Sequence, residues 1–159
     1  MAVKPIPEGY HTITPYIIVK GCAAAIDWYK RAFGAEETMR CPMPDGRIGH
    51  AEIQIGDSRI MLADEMPEFD ARSPQTLGGT PFGLCLYVLD SDASFQRAVA
   101  AGATVERPIA DQFYGDRSGG VIDPYGHKWK ISTHKRDVSM EEIERAMKQF
   151  GEKGSSNCS

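Results

Sequence analysis

Two stretches of this chain repeat each other, and that duplication limits its fold more than any other feature. TPYIIVKGCAAAIDWYKRAFGAEE, from Thr14, and FGLCLYVLDSDASFQRAVAAGATVE, from Phe82, share one order: a short apolar strand, an amphipathic helix and a closing glycine. Val19 answers Val88, Ile26 answers Phe95 and Gly34 answers Gly102. Downstream, IGDSRIMLADE from Ile55 answers IDPYGHKWKIST from Ile122, so the period holds at about 68 residues. A fixed period marks a duplicated supersecondary unit, and two copies imply one pseudo-symmetric domain.

Each copy reads βαβββ. In the first, a strand is expected around Ile13 to Lys20 and a helix from about Ala23 to Phe33, with Ile26, Tyr29 or Lys30, and Phe33 on its inner face and Gly34 at C′. Two or three strands follow, with turns at Asp45-Gly46 and Gly56-Asp57-Ser58 around the alternating HAEIQI. The second copy has a strand at Leu84 to Val88, a helix capped by Asp90 or Ser91 and stopped at Gly102, and last strands separated by Asp123-Pro124-Tyr125-Gly126. EMPEFDARSPQTLGGT, from Glu65, is a polar connection, and Ser139 with Glu142 forms a capping-box pair for a C-terminal helix carrying Ile143, Met147 and Phe150 on one face. The expected organisation is a single α+β domain over 1–137, with module one about 12–66, module two about 81–134, a helix over 138–150 and a flexible tail over 151–159.

Composition narrows the function classes. Lys and Arg number 18 against 22 Asp and Glu, a net charge of −4 without a clustered basic face, which argues against nucleic acid or a membrane surface as partner. Cys22, Cys41, Cys85 and Cys158 show neither CxxC pairing nor zinc-like spacing, and the N-terminus carries no apolar signal segment, so free thiols in a reducing cytoplasm are expected.

Successive strand residues point to opposite sides of a sheet. One face, made of Ala51, Ile53, Ile55, Ile60, Leu62, Leu84, Leu86, Val88, Trp129 and Ile131, is expected beneath the helices. The other carries Thr14, Tyr16 and Ile18; His50, Glu52 and Gln54; Arg59 and Met61; Gly83, Cys85 and Tyr87; and Lys128, Lys130 and Ser132. That mixture of aromatic, apolar and polar groups is expected to line a ligand cavity inside a curved sheet.

Together with the repeat, the segments GHAEIQIGDSRIMLADE, FYGDR, DPYGHKW and STHKRDVSMEEI make the chain resemble the vicinal oxygen chelate superfamily of glyoxalases, bleomycin-resistance proteins and extradiol dioxygenases, and within it the PhnB-like branch. The resemblance runs from about Thr14 to Thr133. It implies paired βαβββ modules in a curved mixed sheet around a cavity, and a homodimer. It also implies a divalent metal held by His, Gln or Glu from the first and last strand of each module. Laid on that pattern, Thr14, Met61, Gly83 and Lys130 fall at the four ligand positions, and none is a good ligand, so no metal centre or other cofactor is expected.

The candidate catalytic residues are His50 and Glu52, which share a strand face as an acid/base pair or half of an atypical metal site that would need His11, His127 or His134 as a third ligand. The alternative is a polar wall in which Glu52 pairs with Lys130 or Arg59. In FYGDRSGG, which resembles the ligand-side segment of bleomycin-resistance relatives, Tyr114 could stack on a planar ligand and Arg117 could bind an anion; the alternative is a hairpin turn with an Asp116–Arg117 contact. Trp28 is expected in the core or at a dimer contact. The expected ligand-binding set is Tyr16, His50, Glu52, Met61, Tyr87, Tyr114, Arg117 and Lys130, in a small-molecule-binding protein. Alternatives are a metal-dependent lyase, isomerase or dioxygenase built around His50 and Glu52, and a non-catalytic interaction protein.

Overall fold

A computed structural model of the chain describes residues 3–155, with side chains through residue 149. Module one comprises β1 (Tyr16–Val19), α1 (Cys22–Phe33), β2 (Glu36–Pro42), β3 (Ile48–Ile55) and β4 (Ser58–Asp64). Module two repeats the order with β5 (Gly83–Tyr87), α3 (Ser91–Ala100), β6 (Thr104–Asp111), β7 (Asp116–Ile122) and β8 (Lys128–His134). Between them the polar connection forms a 3₁₀ turn at Pro67–Phe69 and the short α2 (Pro74–Leu77), whose N-cap Ser73 accepts from the Thr76 amide. No helix among the described residues is long and apolar enough to cross a membrane.

The α+β architecture and the two modules match the sequence reading, but the sheet is not continuous. The strands form two separate four-stranded mixed sheets, ordered β1-β4-β3-β2 and β5-β8-β7-β6, and both β1 and β5 are left as open edges. β1 is also shorter than expected, so Thr14 falls in the segment before it.

The modules join through the faces that carry their helices. α1 packs on α3. Trp28, buried in the core, donates its indole N–H to the Ala101 carbonyl at 2.8 Å, and Arg97 donates to the Ala32 carbonyl at 2.7 Å. Phe33 meets Trp129 with ring centroids 4.6 Å apart, and His127, buried on the helix side, contacts the Ile18 carbonyl through Nε2 at 2.9 Å. One apolar core therefore crosses both modules, and Ala51, Ile53, Ile55, Ile60, Leu62, Trp129 and Ile131 lie in it. Leu84, Leu86 and Val88 are only partly buried, because β5 has a neighbour on one side alone.

Both long module helices begin under a residue of their module's last strand. α1 starts at Gly21, which supplies no capping side chain, and Asp64 at the end of β4 accepts from the Gly21 and Cys22 amides at 3.0 and 2.8 Å. The second Asp64 oxygen takes the Ile48 amide at 2.7 Å. In module two, Asp90 caps α3 by accepting from Ala93, and Thr133 on β8 accepts the Ser91 amide at 2.8 Å. These contacts satisfy helix-start donors that have no partner inside the helix. α4 (Met140–Ser155) follows, opened by the expected Ser139–Glu142 box; it extends past residue 150, and residues 156–159, with Cys158, lie outside the described residues. Met140 and Met147 on it are exposed.

Candidate functional site

The residues expected to share one cavity divide between two sheet faces. Tyr16, His50, Glu52 and Met61 lie on the first sheet, and Tyr87, Tyr114 and Lys130 belong to the second module. Arg117 is on neither open face. It alternates with Asp116 and Ser118 along β7 and so turns to the helix side, where its guanidinium takes Asp92 at the start of α3 at 2.5 and 2.7 Å and Asp111 at 3.2 Å. Arg117 thus takes neither of its two expected roles, an anion site or a contact with Asp116.

On the first sheet the hub is Glu52, only 5% exposed. It accepts from the Tyr10 hydroxyl, from Arg59 Nη1 at 3.3 Å, and contacts His50 Nε2 at 3.2 Å. The Tyr16 hydroxyl reaches His50 Nδ1 at 3.2 Å, which gives a Tyr16–His50–Glu52 chain. Tyr10 comes from the N-terminal arm, and the Arg59 guanidinium lies 4.8 Å from its ring centroid. Burial acts to raise the Glu52 carboxyl, but the bonds from Tyr10 and His50 and the charges of His50 and Arg59 outweigh it, so its pKa lies below the ordinary value. Arg59, not Lys130, is thus the cation that Glu52 holds. The signal for this was the hairpin register: Gln54 faces Arg59 and Glu52 faces Met61, which puts Arg59 one diagonal step from Glu52.

On the second sheet the buried acid is Asp116, 4% exposed. It accepts from the Tyr87 hydroxyl at 2.9 Å and pairs with His134 Nδ1 at 2.8 Å, while His134 Nε2 lies 3.1 Å from Asp137. Burial again acts to raise the Asp116 carboxyl, and the bonds from His134 and Tyr87, with the charges of His134 and Lys130, bring it below the ordinary value. The Tyr87 phenol is pushed up to about 12, first by its bond to Asp116 and then by burial. His134 is raised by the same carboxylate and by Asp137. Sequence reading gave Asp116 only a contact with Arg117 and treated His134 only as a metal candidate; the β7–β8 register, centred on Tyr125, sets Asp116 opposite His134.

Beside this network lies a cavity of about 400 Å³ on the second sheet. Lys130 rises from the middle strand β8 between Cys85 on β5 and Gly120 on β7. Its ammonium sits 4.5 Å from the Tyr114 ring centroid. Lys128, Arg107, Glu106 and Ser118 complete the polar lining, and Pro81 and Leu84 the apolar part. Small residues at Gly83, Cys85 and Gly120 leave this space open. A second groove, of about 540 Å³, runs along the open edge of β5 and is bordered by Ile13, Thr14 and the β3–β4 turn.

The four positions at which the resemblance implies metal ligands do not fit a divalent ion. Thr14 borders the β5 groove, Met61 offers a soft thioether on the first sheet, Gly83 has no side chain and Lys130 brings a positive charge. His50 and Glu52 gain no third ligand: His11 contacts the Asp57 carbonyl, His127 is on the helix side and His134 belongs to Asp116. Among the described residues no group of three or more His, Cys, Asp or Glu is placed to hold a metal ion.

A model of the Glyoxalase/Bleomycin resistance protein/Dioxygenase superfamily matches residues 9–131, which span both modules. The chain belongs to this superfamily. An uncharacterised protein of Mycobacterium tuberculosis is 44% identical over 143 residues, covering 88% of this chain and 84% of that protein. Among solved structures, TioX from Micromonospora sp. ML1 superposes with a TM-score of 0.61 at 26% identity, over 81% of this chain and 100% of TioX. The PhnB protein from Bacillus cereus, described as a putative 3-demethylubiquinone-9 3-methyltransferase, gives 0.61 at 17% identity over 77% of this chain and 99% of its own, and shares the fold. Both structures share the paired-module fold of this chain.

Proposed function

We propose that this superfamily member is a small-molecule-binding protein that works without the superfamily's usual metal centre. The observation that carries this reading is the cavity of about 400 Å³ on the second sheet, a volume in the range of small-ligand sites, with polar groups converging on a floor of small residues. Lys130 is its binding residue in module two, with the Tyr114 ring against the Lys130 ammonium, while Tyr87 borders the β5 groove. Tyr16, His50, Glu52 and Met61 form the matching face of module one, and Arg117, held by Asp92 and Asp111, drops out of the set.

The binding unit is a homodimer in this reading. Tyr16 and Tyr87 are 49% and 61% exposed, and the strand edges nearest them, β1 and β5, are open. Such faces gain most from being covered by a second copy. Cys22, Cys41 and Cys85 are free, which suits a reducing cytoplasm.

The test has two arms. Protein purified without chelator is analysed for metal alongside His50→Ala and Glu52→Ala; a stoichiometric ion lost in both variants overturns the metal-free reading in favour of a metal-dependent enzyme. Thermal-shift screening with small aromatic compounds and acids, without added metal, is expected to give stabilising hits. Light scattering after size exclusion is expected to give twice the mass of the 17.5 kDa chain.

A further inference from the structure

We infer that the second-sheet cavity is a site for an organic oxyanion, a carboxylate or phosphoryl group on a compact apolar body. This rests on the binding-protein reading above and specifies its ligand class. The chain as a whole carries an excess of acid, with 22 Asp and Glu against 18 Lys and Arg. The cavity reverses that sign: Arg107, Lys128 and Lys130 line it against Glu106 alone.

The distribution of partners sharpens the contrast. Lys128 holds Glu106 at 2.7 Å, which neutralises one cation with the one acid. Arg107 and Lys130 have no carboxylate partner among the described residues; Arg31, Arg97 and Arg145 share that state but lie outside the cavity, while Arg40, Arg47, Arg59, Arg72, Arg117 and Arg136 each hold at least one. Lys130 stands close enough to Asp116 to feel its charge, but both oxygens of that carboxylate are taken, one by Tyr87 and one by His134. The ammonium instead faces the Tyr114 ring. A half-buried Lys in a trough between Cys85 and Gly120 has room beside it that no side chain fills.

Physical chemistry then specifies the ligand. Two uncompensated cations, one a planar fork and one a point charge, favour an oxyanion that spans them. The Ser118 hydroxyl, buried at the cavity wall, is a further donor or acceptor. Pro81 offers the opposite end an apolar contact.

The experiment is calorimetric titration of the full-length protein with phenyl phosphate, benzoate and inorganic phosphate, each against neutral benzyl alcohol. Phenyl phosphate or benzoate is expected to bind more tightly than benzyl alcohol, with affinity falling as salt is raised. Lys130→Gln and Arg107→Gln are each expected to weaken it by about tenfold to a hundredfold. Lys148→Gln, on α4, is the charge control and leaves it unchanged. Arg107 is exposed on the edge strand β6, so its substitution keeps the test valid if Lys130→Gln fails to fold. Equal binding of neutral and anionic probes, or full affinity in both variants, overturns the oxyanion assignment and leaves the binding-protein reading standing. No binding by probes of either charge overturns both.

Discussion

The Tyr29 hydroxyl of α1 donates at 2.7 Å to Oδ2 of Asp123, 94 residues away in the other module. The same oxygen accepts from the Trp129 indole at 2.9 Å, and Oδ1 takes the Tyr125 and His127 amides, both at 2.9 Å. One carboxylate thus closes the β7–β8 turn and locks the two modules together inside the core. Tyr29→Phe removes one bond to a buried charge and is expected to lower unfolding stability by about 1.5–3 kcal/mol. Asp123→Ala leaves several buried donors unpaired and is expected to cost more. Denaturant unfolding with an unchanged midpoint for Tyr29→Phe would show that the bond does not hold the modules.

Asp64 performs a similar task at the start of α1, where Gly21 and Cys22 donate to it. Asp64→Ala is expected to cost about 1–2 kcal/mol, the range for losing a helix cap. Thr133→Ala, which removes only the single bond from Ser91, is expected to cost less. Equal melting temperatures for wild type and Asp64→Ala would contradict the capping role.

The Asp116–His134 pair makes stability depend on pH with a definite sign. His134 is raised by its partner, so its contribution is complete below the ordinary imidazole value of 6.5 and is lost as pH rises through the higher folded value. Asp116 is lowered, so its contribution is complete above the ordinary value of 3.8 and is lost as pH falls through the lower folded one. The pair therefore contributes fully only between those two ordinary values. An NMR titration is expected to place the His134 midpoint above 6.5 and to bring it back toward that value in Asp116→Asn. A midpoint unmoved by the substitution would refute the coupling.

Gly115 and Gly119 of FYGDRSGG answer to packing rather than to a ligand. At Gly119 an added Cβ would lie 2.7 Å from the Phe95 ring and 3.0 Å from the Ile109 backbone. Gly115 has φ +99°, and a Cβ there would overlap the Arg136 carbonyl oxygen. Gly119→Ala is expected to cost about 1–3 kcal/mol by overpacking, and Gly115→Ala more, because backbone strain adds to the clash. Thermal melts check both, and a wild-type melting temperature for Gly119→Ala would mean that α3 yields at no cost.

What the sequence by itself determined was everything carried by local periodicity. The strand faces, Gly34 and Asp90 at helix ends and the Ser139–Glu142 box were legible because each depends on residues a few positions apart, and the repeat because both halves carry the same local patterns. Tertiary structure alone decided how the two modules sit. Whether two sheets join edge to edge or share a core through their helices depends on contacts such as Tyr29 with Asp123 and Phe33 with Trp129, which no local pattern encodes. That choice separated Tyr16, His50, Glu52 and Met61 from Tyr87, Tyr114 and Lys130. It also kept Lys130 of module two away from Glu52, which pairs with Arg59 of its own hairpin. A charged side chain takes whichever opposite charge the fold brings within a few ångströms, and which charges meet is set by the packing of elements far apart in the chain.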